Sequence, residues 1–334
     1  MTPPASTSPA KGERGAALLM VLLLVAVMAA LAALALERLR LATRLAANGA
    51  ALDQARALAF GAEALAASRI TALNAIDPAR TTLRGGWSGR AERVELPGGG
   101  VATLRVSDGA NCFNLNSVAQ GAVPTKLTAR PTGVAQFMAL MTMLGVAQGE
   151  ARHVAASLAD WVDADSLPDP EGAEDETYRK ASPPYRAANT LLAEVSELRA
   201  VAGVTPQIYA RLRPWVCALP TTDLSPINVN TLSPDQAVLV AMLVPDRLDV
   251  ARARAIIAAR PPDGFASIDD FWRLPALAAI TPAMDVRRQA GLRTRWFRLD
   301  LDVALGGAHL AETALIDGGL RPARLVLRRW GSDD

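Results

Sequence analysis

Between Ala16 and Leu36 the chain runs for twenty-one residues without a charge. As a helix rising about 1.5 Å per residue, this run is roughly 30 Å long, the thickness of a bilayer's hydrocarbon core. Three fates fit it: a permanent anchor, a secretion signal that is removed, or a helix held in a membrane until it is needed. Lys11 and Arg14 precede it, and a basic flank keeps the N-terminus in the cytoplasm by the positive-inside rule. Ala33-Leu34-Ala35 has the small-x-small form of a signal-peptidase site, but the run exceeds the ~7–15 residues of a signal core.

The segment after Leu36 decides between them. "ERLRLATRLAANGAALDQARALAFGAEALAASRITALN" contains no proline before Pro78. Leu45, Leu52, Ala59, Ala66 and Leu73 recur at seven-residue spacing, which keeps one helical face apolar. The pattern predicts one helix of about sixty residues, embedded over 16–36 and continuing outside the membrane over 37–77. Asn48-Gly49 is its expected soft point.

A short polar leader ending in glycine, an apolar helix and an amphipathic stalk together resemble a type IV pilin-like precursor. The resemblance implies removal of residues 1–15 by prepilin peptidase at the Gly15–Ala16 bond, and methylation of Ala16. Pilin-like subunits usually carry glutamate at the fifth mature position, where this chain has Met20. A subunit without that carboxylate cannot offer it to a neighbour's amine, which suits an end position better than a repeating one.

Beyond Pro78 the pattern changes twice. "RAERVELPGGGVATLRVSDGANCFNLN" reads as two or three short strands with a turn at Gly98-Gly99-Gly100, and 78–117 is the expected first part of a sheet. From 118 to 292 the pattern is helical with proline-marked breaks. It includes "VAQFMALMTMLG", "RHVAASLADWV" and "NTLLAEVSELRAV" as amphipathic helices, the methionines filling core. In 293–334 strands return: Phe297, Leu299, Leu301, Val303 and Leu305 alternate with Arg298, Asp300 and Asp302. The expected fold is α+β, an antiparallel sheet with the long helix packed on it and a large all-α insertion between strands.

"DWVDADSLPDPEGAEDETY" holds Asp160, Asp163, Asp165, Asp169, Glu171, Glu174, Asp175 and Glu176 with no base among them. Like charges so close resist compact folding unless a cation neutralises them. Asp163 and Asp165 can reach one ion, and a Pro168/Pro170 turn can bring Glu174 and Asp175 back to close its sphere with the oxygen ligands calcium takes. Asp160 and Glu176 are weaker candidates. The spacing is not that of an EF-hand, and a solvated acidic loop is the plainer reading of such a run.

Other chemistry finds little support. With 35 basic and 33 acidic residues the net charge is +2, so no bulk attraction for nucleic acid is implied. His153 and His309 sit in apolar-patterned segments, Ser88 lacks the spacing of a nucleophile elbow, and no Cys/His cluster offers a zinc site; no enzyme is expected. "INVNTLSPDQAVLVAMLVPDRLDVARARAIIAARPPDGFASIDDFWRL" resembles a helix-hairpin-helix module, the basis of an alternative reading as a membrane-anchored DNA-binding or uptake protein. Its hairpin reads "VPDRLDV", without the glycines whose N–H groups meet phosphate, so it is expected to be a packing unit. Cys112 and Cys217 are the only cysteines; they can pair in an oxidising compartment and would be unpaired core residues in the cytosol.

"RGAALLMVLLLVAVM", "GANCFNLNSV", "DWVDADSLPDPEGAEDETY", "PPYRAANTLLAEVSELR", "YARLRPWVCALP" and "INVNT", in this order, resemble the general secretion pathway protein K family. These are minor pseudopilins of the type II secretion system. The resemblance implies a pilin-like helix and sheet in the inner membrane, spanning once, with the C-terminal body in the periplasm. It implies a place at the tip of a short pseudopilus, with other minor pseudopilins and the major pseudopilin as partners and no nucleic acid. It further implies one or two calcium ions, with Asp163, Asp165, Glu174 and Asp175 among the ligands, and a Cys112–Cys217 disulfide tying sheet to insertion.

Overall fold

The computed structural model describes residues 11–331; the first ten residues of the expected leader lie outside them. Helix α1 (Lys11–Ile76) is continuous for 66 residues, roughly 100 Å. It passes through both Gly15–Ala16 and Asn48-Gly49 without interruption. It stops where Pro78 disfavours helical geometry at the residue before it, and the Asp77 carboxylate accepts the Ala79 N–H at 2.9 Å. From Gly15 the helix is long and apolar enough to cross a membrane, and none of its apolar window is buried among the described residues.

Five antiparallel strands form one sheet: β1 (Ala91–Leu96), β2 (Gly100–Asp108), β3 (Trp296–Leu305), β4 (Ala308–Asp317) and β5 (Arg324–Trp330), in spatial order β1-β2-β3-β4-β5. The alternation read from the sequence sets its faces. Phe297, Leu299, Leu301, Val303 and Leu305 are buried against Ala55, Ala59, Ala62, Ala66 and Ile70 of α1. Those helix positions recur every three or four residues, one stripe of a 3.6-residue period, and their small side chains let the helix lie close to the sheet. Leu45, expected on this face, is 62% exposed. The sheet begins to cover α1 only near Ala51, which the β3–β4 turn at Gly306 approaches. That turn has two residues, Gly306 and Gly307, with φ of +57° and +86°, the left-handed geometry a tight hairpin needs and glycine supplies.

The neighbours β2 and β3 are joined through the inserted body. The chain leaves the sheet after Asp108 and builds α2 (Pro131–Met143), α3 (Gln148–Val162), α4 (Asp175–Tyr178), α5 (Pro206–Leu212), α6 (Ala237–Ala241), α7 (Val250–Ala258), α8 (Ile268–Trp272) and α9 (Met284–Gln289). It returns at Trp296. This body has its own core, in which Phe113 stacks on Phe137 at 4.9 Å, while Ala110, Leu219 and Trp296 form the seam with the sheet.

Two expectations shift, and the expected Cys112–Cys217 disulfide is formed. The body starts near 109 rather than 118, because Phe113–Asn114 pairs in parallel with Val216–Cys217 inside it and not with the sheet. Cys112 and Cys217 are bonded, with their Cα atoms 5.8 Å apart, so the bridge joins the exit from β2 to the middle of the inserted body. "NTLLAEVSELRAV" is not an α-helix: only Val195–Ala200 coils, as a 3₁₀ turn. The Leu192 N–H is taken at 2.8 Å by the Asn116 side chain, and Asn189 has a left-handed φ of +47°.

The asparagines of "NCFNLN" and "INVN" are buried stitches. Asn116 donates to the carbonyls of Leu192 and Leu219 at 3.0 and 2.8 Å. Asn228 donates to Thr81 O at 3.0 Å, and Asn230 exchanges hydrogen bonds with the Phe265 backbone at 2.7 and 3.1 Å. In the helix-hairpin-helix segment every residue of α6 is buried, as are Ala253, Ile256 and Ile257 of α7, while Asp246, Arg247 and Asp249 of the turn between them are exposed; the two helices pack into the core by these buried residues.

The attachment point has a direction. At one end of the sheet its turns meet Ala51 and Gln54 of α1. At the other, Asn74 donates to the Gly318 carbonyl at 2.9 Å, beside Phe297 of β3. The body is therefore carried at the end of α1 farthest from its apolar segment.

Candidate metal centre

Helix α3 positions the first acidic residues. Val154, Leu158 and Val162 point into the body's core, and the same turns present Asp160 and, at the C-cap, Asp163. Carboxylates in a helix's last turn oppose its dipole, at a cost of about 0.3–1 kcal/mol each. The chain then turns through Pro168 and Pro170, and Glu174 caps the N-terminus of α4, its side chain accepting the Asp175 N–H at 3.3 Å.

One oxygen from each of Asp163, Asp165 and Glu174 lies within 4.8 Å of the other two. Asp163 and Glu174 are each 4% exposed; Asp165 opens to solvent and accepts the Leu167 N–H at 2.8 Å. Below the loop, Trp161 meets Tyr178 edge-on at 5.1 Å. Burial first, then the charge of Asp165, pushes the Asp163 carboxyl up to about 7. Burial likewise pushes Glu174 up to about 7 and Asp160 to about 6.

Asp163 Oδ1 and Glu174 Oε1 are buried without a hydrogen-bond donor. Buried carboxylate oxygens left that way are costly, and among the described residues no lysine or arginine pairs with Asp163, Asp165 or Glu174. Their donor set is oxygen only and anionic, the set that hard divalent cations prefer over thiolate- or imidazole-seeking metals.

The remaining acids of the run are used otherwise. Asp175 lies outside the triplet: its carboxylate pairs with Arg179 at 2.7 Å and Arg186 at 3.8 Å, and accepts the Ala187 N–H at 3.1 Å. Glu176 pairs with Lys180 at 3.1 Å and Glu171 with Arg152 at 3.4 Å. Asp160, fully buried, accepts the Asp169 N–H at 3.1 Å. The sequence marked the run as acidic, but a fully buried Asp160 facing backbone N–H groups is a three-dimensional fact. Its only trace is its place on the apolar side of α3, one turn before Asp163.

A single helix, apolar at its start and laid on an antiparallel sheet farther along, defines the class of pilin-like subunits. Here the sheet carries a helical body with an acidic loop. Two models of one family match that body: type II secretion system (T2SS), protein K, over residues 111–221 and again over 227–291. Type II secretion system protein K of Klebsiella pneumoniae is 36% identical over 319 residues, covering 96% of this chain and 97% of that protein. The protein of the same name from Pectobacterium carotovorum subsp. carotovorum is 33% identical over 320 residues, with 96% and 97% covered. A solved chain from the GspK-GspI-GspJ complex of the enterotoxigenic Escherichia coli type 2 secretion system superposes with a TM-score of 0.73. It is 30% identical, and the match covers 84% of this chain and 97% of that one.

This chain belongs to the type II secretion system protein K family, the minor pseudopilins of that system.

Proposed function

We propose that this subunit caps the tip of the type II secretion pseudopilus, helps initiate its assembly, and so supports export of folded proteins from the periplasm. The observation that carries this reading is where the helical body sits. It leaves the sheet beside Asn74, roughly 55–60 Å along α1 from the end of the apolar run at Leu36. A body there obstructs a subunit stacked directly above, while the helix below stays free to pack against sister helices. Met20 fits the same place, since nothing above a tip subunit asks for the carboxylate that a glutamate would offer at that position.

In this reading residues 16–36 cross the inner membrane once and the C-terminal body lies in the periplasm. Prepilin peptidase cuts at Gly15–Ala16 and the new N-terminus is methylated. The partners are two other minor pseudopilins, as in the related three-chain complex, and the major pseudopilin below them. Calcium is the cation for Asp163, Asp165 and Glu174: bound, it supplies the positive charge that neutralises the three carboxylates converging there.

Two measurements test the proposal. Gold particles directed to a tag in the body should mark only the ends of overproduced pseudopili; labelling along their length overturns the tip assignment. The mature protein recovered from membranes should begin at methylated Ala16, whereas a start at Leu36 would make the apolar run an ordinary secretion signal.

A further inference from the structure

The acidic loop runs back along α3, and three side chains of that helix hold it there. His153 Nδ1 lies 2.6 Å from the Glu171 carbonyl oxygen; a carbonyl only accepts, so the imidazole donates. Arg152 pairs with the Glu171 carboxylate at 3.4 Å. Two turns farther on, the Asp160 carboxylate accepts the Asp169 N–H and faces that of Ala173. The grip is tight: a Cβ at Gly172 would fall 2.0 Å from Asp160 Oδ2, far inside contact distance. Glu171, next to that glycine, has φ +67°, a conformation a non-glycine residue keeps only when its surroundings impose it. None of these contacts uses an oxygen of Asp163, Asp165 or Glu174.

We propose that Asp160 is a positioning residue for the cation site. Together with His153 it clasps the backbone of 169–173 onto α3 and so brings Glu174 to Asp163 before any cation arrives. The inference rests on the cation reading above but makes a separate claim, that the loop is closed without metal. Its basis is the division of labour in the run. A fully buried carboxylate whose oxygens face backbone N–H groups is not available as a ligand, whereas the three that converge carry the oxygens left without donors. Closing the loop in advance removes its ordering entropy from the cost of binding.

The test is hydrogen exchange of the full-length chain in detergent, read at the amides of Asp169, Glu171, Gly172 and Ala173 first in EDTA and then in calcium. In EDTA the wild type should protect these amides, and calcium should add little. Asp160→Asn should exchange there about tenfold or more faster in EDTA and bind calcium more weakly by titration calorimetry. Gly172→Ala, which fills the space Asp160 occupies, should do the same. Amides in α3 at 154–158 report whether either variant remains folded; should Asp160→Asn unfold, His153→Ala provides the same reading. Asp165→Asn should lose calcium affinity yet keep the EDTA protection of the wild type. Wild-type exchange rates in Asp160→Asn with EDTA, with or without weaker calcium binding, overturn the clasp. A wild-type chain that binds no calcium refutes the cation reading alone, since the EDTA comparison still decides whether Asp160 closes the loop.

Discussion

The carboxylate of Asp108, the last residue of β2, accepts a 2.6 Å hydrogen bond from the hydroxyl of Thr231, deep in the inserted body. The Thr294 hydroxyl, just before β3, donates to the same oxygen. Asn111 in turn donates to Thr231 at 2.8 Å and accepts the Asn228 N–H at 2.9 Å. The points where the chain leaves and rejoins the sheet are thus tied to "INVNT". Burial raises the Asp108 carboxyl despite the hydroxyls that favour its charge. Thr231→Val, close to isosteric, removes one donor from this carboxylate and should cost about 1–3 kcal/mol, seen as a lower melting temperature. A loss within about 0.5 kcal/mol, that of an ordinary surface change, would mean the hydroxyl is dispensable.

How much of the fold is legible in the sequence depends on the distance over which each residue acts. The long helix, the alternation of 297–305 and the strand–helix–strand order come from local periodicity, and they appear where the sequence placed them. The asparagine stitches do not: Asn116 meets Leu192 across 76 residues and Asn228 meets Thr81 across 147, so no local pattern announces them. The same cause defeated the helix expected at "NTLLAEVSELRAV", whose Leu192 N–H a distant side chain had taken. In the acidic run, charge density is visible, but which carboxylates converge depends on how the loop folds back along α3. Glu312 does leave a local trace, a charged residue at a core position of the alternation Leu310, Glu312, Ala314, Ile316.

The Cys112–Cys217 bond closes a loop across a sequence separation of 105 residues. The chain-entropy estimate for a loop near a hundred residues is roughly 4–5 kcal/mol, an upper figure. Cys112→Ser with Cys217→Ser should therefore lower the melting temperature markedly, and reductant should lower that of the wild type but not of the double variant. Equal melting temperatures in all states would mean that the short pairing of Phe113–Asn114 with Val216–Cys217 suffices alone.

Calcium should stabilise the chain, by about 2.7 kcal/mol at a hundred times its Kd, and Asp163→Asn should abolish most of this increment. The pH dependence has a definite sign. Asp163 and Glu174 are raised from 3.8 and 4.5 to about 7, so the cation-free folded state binds more protons than the unfolded chain between those values. Its stability falls as pH rises through that window. Protons compete with the cation for the same oxygens, so the calcium increment should grow from pH 5 to pH 8. Scanning calorimetry in EDTA and in calcium at both pH values checks it. An increment independent of pH would place the ion on other groups.

The last prediction concerns the face of the sheet that α1 covers, near the β5 edge, where Arg328 of β5 forks onto Glu63 of α1 with both Nε and Nη2. Its guanidinium lies 4.6 Å over the Phe60 ring. Glu312 of β4 has no exposed side-chain surface and lies 3.7 Å from Arg328 Nε. One arginine therefore faces two carboxyls. Burial is the largest single influence and works against the Glu63 charge, but the Arg328 hydrogen bonds, the neighbouring Glu312 carboxyl and the Arg328 charge together outweigh it and the Glu63 carboxyl is lowered. Glu312 is raised, by burial first and by Glu63 next. Arg328→Met leaves both acids buried and unpaired and should cost about 3–5 kcal/mol. Glu312→Gln makes the sharper test. A carboxyl raised above 4.5 in the folded state withdraws stability as pH climbs above that value, and glutamine cannot. Glu63, lowered, works the other way: its contribution is complete above 4.5 and is lost only as pH falls below it. Between pH 5 and pH 8.5 the wild type should thus lose stability relative to Glu312→Gln, read as diverging melting temperatures. Parallel curves would mean that Glu312 is ionised throughout and that Arg328 balances both acids alone.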